Sequence, residues 1–237
     1  MTVRISLSQR LSRIAELVLP AQPVLDVGTD HGYLPAYLVC SGRVPHAIAM
    51  DVRPRPLGNA QELAKRLNLG PDVFSTRLSD GLAAFVPGEA TTLTISGMGG
   101  ATIQRILSAD IEKTDSFQRL VLQPNNAEAG IRRWLANAGW ALCGEELIFE
   151  RDQFYWIFVA ERSTQVPAEM WTEKDFVLGP LLRHDPPDIW VKYLTFERDR
   201  LRPQVARTAL AKDPSAPRIV QLRQHLKWVE AELEDLG

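Results

Sequence analysis

Hydrophobic positions in this chain change period several times, and each change marks an element. Leu7, Leu11, Ile14, Leu17 and Val18 recur at steps of three and four behind Ser6 and Ser8, which predicts an amphipathic helix ending before Pro20. Beyond it, residues 23–27, 47–52, 73–78, 93–96 and 120–122 are short apolar runs of the kind buried in a parallel sheet. The stretches 33–40, 58–69, 101–107 and 127–138 read as helices; in the second, Ala60, Leu63, Ala64 and Leu67 share one face. Two more strands, 141–150 and 154–159, flank the polar turn Arg151-Asp152-Gln153. Helices and strands alternate as far as the fifth strand, and a strand pair closes the series. The expectation is an α/β fold with a doubly wound, seven-stranded sheet, parallel except for a terminal hairpin strand.

After about residue 162 the strand signals stop. Pro167, Pro180, Pro186 and Pro187 punctuate a connecting region, and two helical stretches follow. In the second, Ile219, Leu222, Leu226, Val229, Leu233 and Leu236 step by alternating threes and fours, a heptad seam. In the first, residues 188–211, Leu194, Leu201 and Val205 form a comparable stripe that Pro203 should kink or split. With residues 213–217 as the turn, the two make an antiparallel helical hairpin. The predicted domains are 1–162 and 163–237.

Charge and cysteine usage exclude some classes. A net charge of −2 over 237 residues gives no global attraction to a polyanion, so a nucleic-acid site has to come from local clustering. One such cluster exists: between Lys192 and Lys227 nine basic residues face Glu197, Asp199 and Asp213 only. Arg200, Arg202, Arg207, Lys212 and their neighbours could track phosphates, with Arg4, Arg10 and Arg13 adding to that surface; a solvated helical face is the plain alternative. Cys40 and Cys143 sit in apolar contexts and read as buried thiols of a reducing compartment. The polar, basic N-terminus has no signal-peptide core, and no apolar run approaches the roughly 20 residues that span a bilayer. The expectation is a cytoplasmic protein without a membrane segment. His31, His46, His184 and His225 have no ligand spacing, so no metal is expected.

The candidate chemistry lies at strand ends, where open α/β sheets bind ligands. Asp26-Val27-Gly28-Thr29-Asp30-His31-Gly32 follows the first strand and opens a helix. A dinucleotide loop of the GxGxxG type carries glycine where this one carries Asp30, and a carboxylate there repels a pyrophosphate but suits a cationic ligand. The sulfonium of S-adenosyl-L-methionine fits that charge; an Asx turn capping the helix would read the same way. Asp51 ends the second strand, where a carboxylate can accept both hydroxyls of a ribose. Asp80-Gly81 follows the third and suits an adenine edge. Ser96-Gly97-Met98-Gly99-Gly100 follows the fourth, its glycines allowing close approach of a ligand or flipped base. Gln123-Pro124-Asn125-Asn126 adds amide groups at the same rim. Walker and GxSxG motifs are absent, which argues against phosphotransfer and serine hydrolysis.

Together, Ser6-Leu7-Ser8-Gln9-Arg10-Leu11, Asp26 through Pro35, Asp80-Gly81-Leu82, Ser96 through Gly100 and Gln123-Pro124-Asn125 resemble the bacterial tRNA (adenine(22)-N(1))-methyltransferase (TrmK-like) family. Two positions depart from its pattern: Asp51 stands in place of Glu, and Arg55-Pro56 in place of Gly-Pro. The resemblance implies a class I methyltransferase domain of Rossmann-like topology, S-adenosyl-L-methionine as donor, and a C-terminal coiled-coil-like helical domain that helps grip tRNA. On that footing the expected donor-binding residues are Arg10, Asp26, Gly28, Asp30, His31, Asp51, Asp80, Gly81, Ser96 and Gly97. Attack by the ring nitrogen of adenine needs no deprotonation and moves positive charge onto the base, so catalysis is positioning plus a facing negative charge. Asp30 is the candidate for that charge, with Met98 and Gly99 in the floor under the flipped base. The alternatives are a methyltransferase for a small molecule or protein, with the tail serving dimerisation, and a non-catalytic nucleotide-binding module.

Overall fold

The computed structural model describes residues 5–162, 171–210 and 213–236. The chain divides into two compact units, Met1–Glu169 and Met170–Gly237.

In the first unit, helix α1 (Gln9–Leu17) opens behind an N-cap in which the Ser8 hydroxyl accepts from the Leu11 N–H. The sheet follows as β1 (Val24–Val27), β2 (Ala47–Asp51), β3 (Phe74–Leu78), β4 (Thr92–Met98), β5 (Arg119–Pro124), β6 (Trp140–Glu150) and β7 (Gln153–Arg162). Its order is β3-β2-β1-β4-β5-β7-β6, the first five strands parallel and β7 antiparallel to both neighbours. The connecting helices are α2 (Tyr33–Cys40), α3 (Pro54–Arg66), α4 (Gly100–Ala109), α5 (Ile111–Asp115) and α6 (Glu128–Asn137). Every residue of β1 and β2 is buried, as a strand covered on both faces requires. Ile14, Val18, Leu34, Leu38 and Leu63 pack with Val24, Ala47, Phe74, Val121 and Ile157 into a core that joins α1, α2 and α3 to the sheet. Strand order reverses between β1 and β4, so the crevice above their C-terminal ends is the topological switch point.

Three expectations shift at this level. Helix α3 begins at Pro54, four residues ahead of the predicted start, because prolines in a first turn forgo only N–H groups that lack helical partners anyway. Strand β4 runs through Gly97 to Met98, with a bulge between Ser96 and Met98, so three of the five residues of the expected glycine loop belong to the strand. Both cysteines are exposed rather than buried: Cys40 closes α2, and Cys143 sits at the register shift between Leu142 and Gly144, which turns it outward.

The second unit is helical: α7 (Glu173–Leu178), α8 (Pro180–His184), α9 (Ile189–Arg207) and α10 (Pro217–Asp235). The two short helices escape the periodicity, since one or two turns cannot show a repeat. Helix α9 continues through Pro203 without splitting. Arg202 meets Glu230 and Arg223 meets Thr208, the descending order of an antiparallel hairpin. Within the predicted seam Val229 is fully buried while Leu236 is exposed, and the stripe also buries Glu197 and Glu232.

Candidate active site

A cavity of about 460 Å³ opens at the switch point. Of the residues singled out from the sequence, Arg10, Asp26, Gly28, Asp30, His31, Asp51, Asp80, Gly81, Ser96, Gly97 and Met98 line it; Gly99 does not.

The β1–α2 loop is shaped by backbone rather than by caps. Gly28, Asp30 and Gly32 all have left-handed φ, near +75°, +52° and +71°. A Cβ on Gly28 would stand 2.0 Å from Met98 Cε, so the loop lies directly against the end of β4. Gly32 is the N-cap of α2 and makes no side-chain cap bond, which sets aside the helix-capping reading of Asp30. Its carboxylate instead faces outward, 3.6 Å from His31 Nε2 and 4.0 Å from Arg53.

Asp51 is the buried acid at the end of β2. Its Oδ1 accepts the Arg53 N–H at 2.8 Å, its Oδ2 accepts the Asp30 N–H at 3.3 Å, and the Arg53 guanidinium lies 3.5 Å away. Asp26 is also buried, but its Oδ1 accepts from Thr94 Oγ1 at 2.7 Å inside the sheet. Burial pushes its carboxyl above the ordinary range, so this acid braces β1 against β4 more than it offers charge. Asp80 is exposed, 3.4 Å from Arg105 of α4. An arginine therefore stands against each of the acids Asp30, Asp51 and Asp80, and the cavity is closer to neutral than its strand-end carboxylates suggest.

The amides after β5 have a different role from the one expected. Gln123 Oε1 accepts from the Gly97 N–H and from Arg10; Asn125 Nδ2 donates to Gly97 O at 2.7 Å; Asn126 Oδ1 accepts from the Gly100 N–H at 3.1 Å. They bind the bulge of β4 and the start of α4, and none lines the cavity. A Cβ on Gly100 would lie 2.6 Å from Asn126 O, so this glycine makes room for protein backbone, and Gly99 lies 3.4 Å from the Asn126 side chain by the same measure.

Arg10 reaches the cavity from α1, its guanidinium 5.1 Å from the centre of the Tyr155 ring. Its Nε is buried without a hydrogen-bond partner, and desolvation lowers the pKa of the group. Arg13 is held by Glu146 and Glu16, and Arg198, Arg200 and Arg202 by Asp199, Glu197 and Glu230, which thins the phosphate-tracking stripe expected from the sequence. Arg4 and Lys212 lie outside the described residues.

Sequence reasoning missed Arg53, Tyr33, Ser79, Thr102, Arg105 and Ile106, all in the cavity wall. Arg53 had a local signal, two residues after the strand-end acid. Thr102 and Arg105 had none, since they arrive through the packing of α4.

Among the described residues, no helix is long and apolar enough to cross a membrane, and no three His, Cys, Asp or Glu side chains are grouped to hold a metal.

The methyltransferase domain family matches residues 7–158. The tRNA (adenine(22)-N(1))-methyltransferase of Bacillus subtilis is 34% identical over 195 residues, 81% of this chain and 82% of that protein. Sp1610 of Streptococcus pneumoniae, a protein assigned to tRNA m1A22 methylation and solved with S-adenosyl-L-methionine, is 30% identical with a TM-score of 0.85, covering 96% of this chain and 100% of that one. The Bacillus subtilis m1A22 tRNA methyltransferase structure is 31% identical with a TM-score of 0.80, covering 98% and 97%.

Proposed function

The chain belongs to the tRNA (adenine(22)-N(1))-methyltransferase family, and from that premise we propose that it transfers the methyl group of S-adenosyl-L-methionine to N1 of adenine 22 in tRNA. The observation that carries the reading is the convergence, at one switch point, of Asp51, Asp80, the Gly28 cradle and Arg10 around a single cavity.

The residues fit the donor. A side chain at Gly28 would collide with the Met98 methyl in the cavity floor, so only glycine fits there without strain, and the orphaned, buried Nε of Arg10 is a donor that a carboxylate would satisfy. When bound, S-adenosyl-L-methionine supplies an electrophilic methyl group on a sulfonium. Asp51 accepts the ribose hydroxyls from its fixed place at the end of β2. Asp80 accepts from the exocyclic amine of the donor's adenine, exchanging part of its contact with Arg105. Arg10, Ser96 and Gly97 hold the amino-acid end, with His31 and Gly81 completing the wall. Asp30, on the outer lip, faces the acceptor ring and opposes the positive charge that develops there. Met98 sets the floor between the two, and Gly99 starts the helix that holds Met98 in place.

The two-part division at residue 162 belongs to the same proposal: the sheet domain holds the donor, and exposed basic residues of the helical domain, among them Arg207, Arg218 and Lys227, contact tRNA phosphates in the cytoplasm. Incubating the protein with labelled donor and a tRNA transcript should place one methyl group at adenine 22, and replacing that adenine by guanine should abolish incorporation. Label retained in the substituted transcript would overturn the target assignment.

A further inference from the structure

Outside Asp30 lies a second open hollow of about 410 Å³, which shares Asp30, His31 and Arg53 with the donor cavity and is completed by Arg55 and Asn59 of α3. Resting on the reading above, we infer that this hollow is an acceptor subsite that holds a backbone phosphate of the RNA beside the target nucleotide. Three features carry it.

The first is charge. The wall carries Arg53 and Arg55 against Asp30 as its one carboxylate; Arg53 also meets Asp51, so Arg55 is the cationic donor that the hollow adds to a donor cavity that is nearly balanced. The Arg53 backbone N–H is bonded to Asp51, and its exposed guanidinium lies 3.5 Å from Asp51 and 4.0 Å from Asp30. An exposed guanidinium beside the hollow presents the planar N–H pair that suits a two-oxygen partner such as phosphate.

The second is presentation. Arg55 and Asn59 are four apart on α3 and therefore project from one helix face, and both are exposed. Pro54 and Pro56 stiffen the first turn that carries Arg55.

The third is position. An occupant here touches the same Asp30 and His31 that bound the donor cavity. Of the two reactants, only the acceptor RNA is a polyanion that extends beyond the reacting atoms. The wall supplies no broad aromatic surface on which a base would stack, which favours a phosphate over a second nucleobase.

The test uses the full-length protein, its tRNA substrate and Arg55→Gln, a residue outside the donor cavity. Calorimetry should show S-adenosylhomocysteine binding unchanged, which also establishes that the variant is folded. The KM for tRNA should rise about tenfold while the logarithmic salt dependence of tRNA binding loses close to one phosphate contact. Arg55→Lys should restore part of the affinity. A wild-type tRNA KM and salt slope in Arg55→Gln would overturn the inference. So would inorganic phosphate titrating the hollow while tRNA affinity ignores the substitution, since the site would then serve a free anion. Absence of methyl transfer to tRNA by the wild-type protein is a separate result, and it would sink the functional reading itself.

Discussion

Asp30 shows how much a single backbone conformation can decide. A non-glycine residue at φ near +52° costs of order 1 kcal/mol, and the strain turns the carboxylate out of the loop toward the lip of the cavity. There it stands between His31 and Arg53, and not at the N-terminus of α2. Asn tolerates the same backbone, so Asp30→Asn removes the charge and little else. We expect kcat at saturating tRNA and donor to fall by about tenfold, less than the hundredfold or more of a fully enclosed group, because this carboxylate is open to water. Donor affinity should stay close to that of the wild type. Single-turnover methylation checks this, and a rate within a few-fold of wild type would remove the charge from the mechanism. The acids at strand ends were legible because a polar residue ending an apolar run has one place to go in a doubly wound sheet. Gly100 was legible as a glycine but not for its reason, since only folding brings Asn126 O against it.

Among the elements, α6 and the β6–β7 hairpin enclose an ion pair with no exposed side-chain surface: Arg132 Nε lies 2.5 Å from Glu145 Oε1. The Arg132 guanidinium also stands 4.4 Å from the Trp156 ring centre and 5.0 Å from that of Phe158. Removing one charge strands the other in a low-dielectric interior. Arg132→Met should therefore cost about 3–5 kcal/mol, while Arg132→Met with Glu145→Leu should recover most of that. Chemical denaturation of the two variants measures the difference, and equal losses would mean that packing around the guanidinium dominates over its charge. Helical spacing already places Arg132, three residues before Leu135, nearer the buried face than Arg133; only the fold brings Glu145 to meet it. The bulge in β4 is a similar case. Its cause, the bonds from Gln123 and Asn125 to Gly97, spans more than 25 residues of sequence and leaves no local pattern.

At the scale of the whole molecule, acid should act first on a buried ion pair of the helical unit. In the helical unit, burial works against the charge on Glu232, but hydrogen bonds from Lys174 and Arg183 outweigh it and hold its pKa below the ordinary 4.5. A carboxylate depressed in the folded state stabilises it above the unfolded-state pKa, and that stability fades as pH falls below about 4.5. Amide protection across α7, α8 and α10 should drop over that range. Glu232→Gln should show weaker protection already at neutral pH and a flatter acid response; an unaltered profile would mean that the pair contributes nothing to holding these helices.

Sequence alone determined the alternation of elements, the sheet class and the strand-end acids around the switch-point cavity, because period and burial are local properties of a chain in a layered fold. The resemblance of its motifs to the tRNA (adenine(22)-N(1))-methyltransferase family was legible in the identities of those residues, apart from any periodicity. Tertiary structure decided which of those acids remain available: Asp26 is turned into the sheet by Thr94, Arg53 folds back on Asp51 from the turn just after β2, and Arg105 reaches Asp80 from α4, whose approach no spacing encodes. It also turned the amides after β5 inward and opened the hollow beside Asp30. Distances between side chains on different elements depend on how the layers pack, and that is settled only when the whole chain has folded.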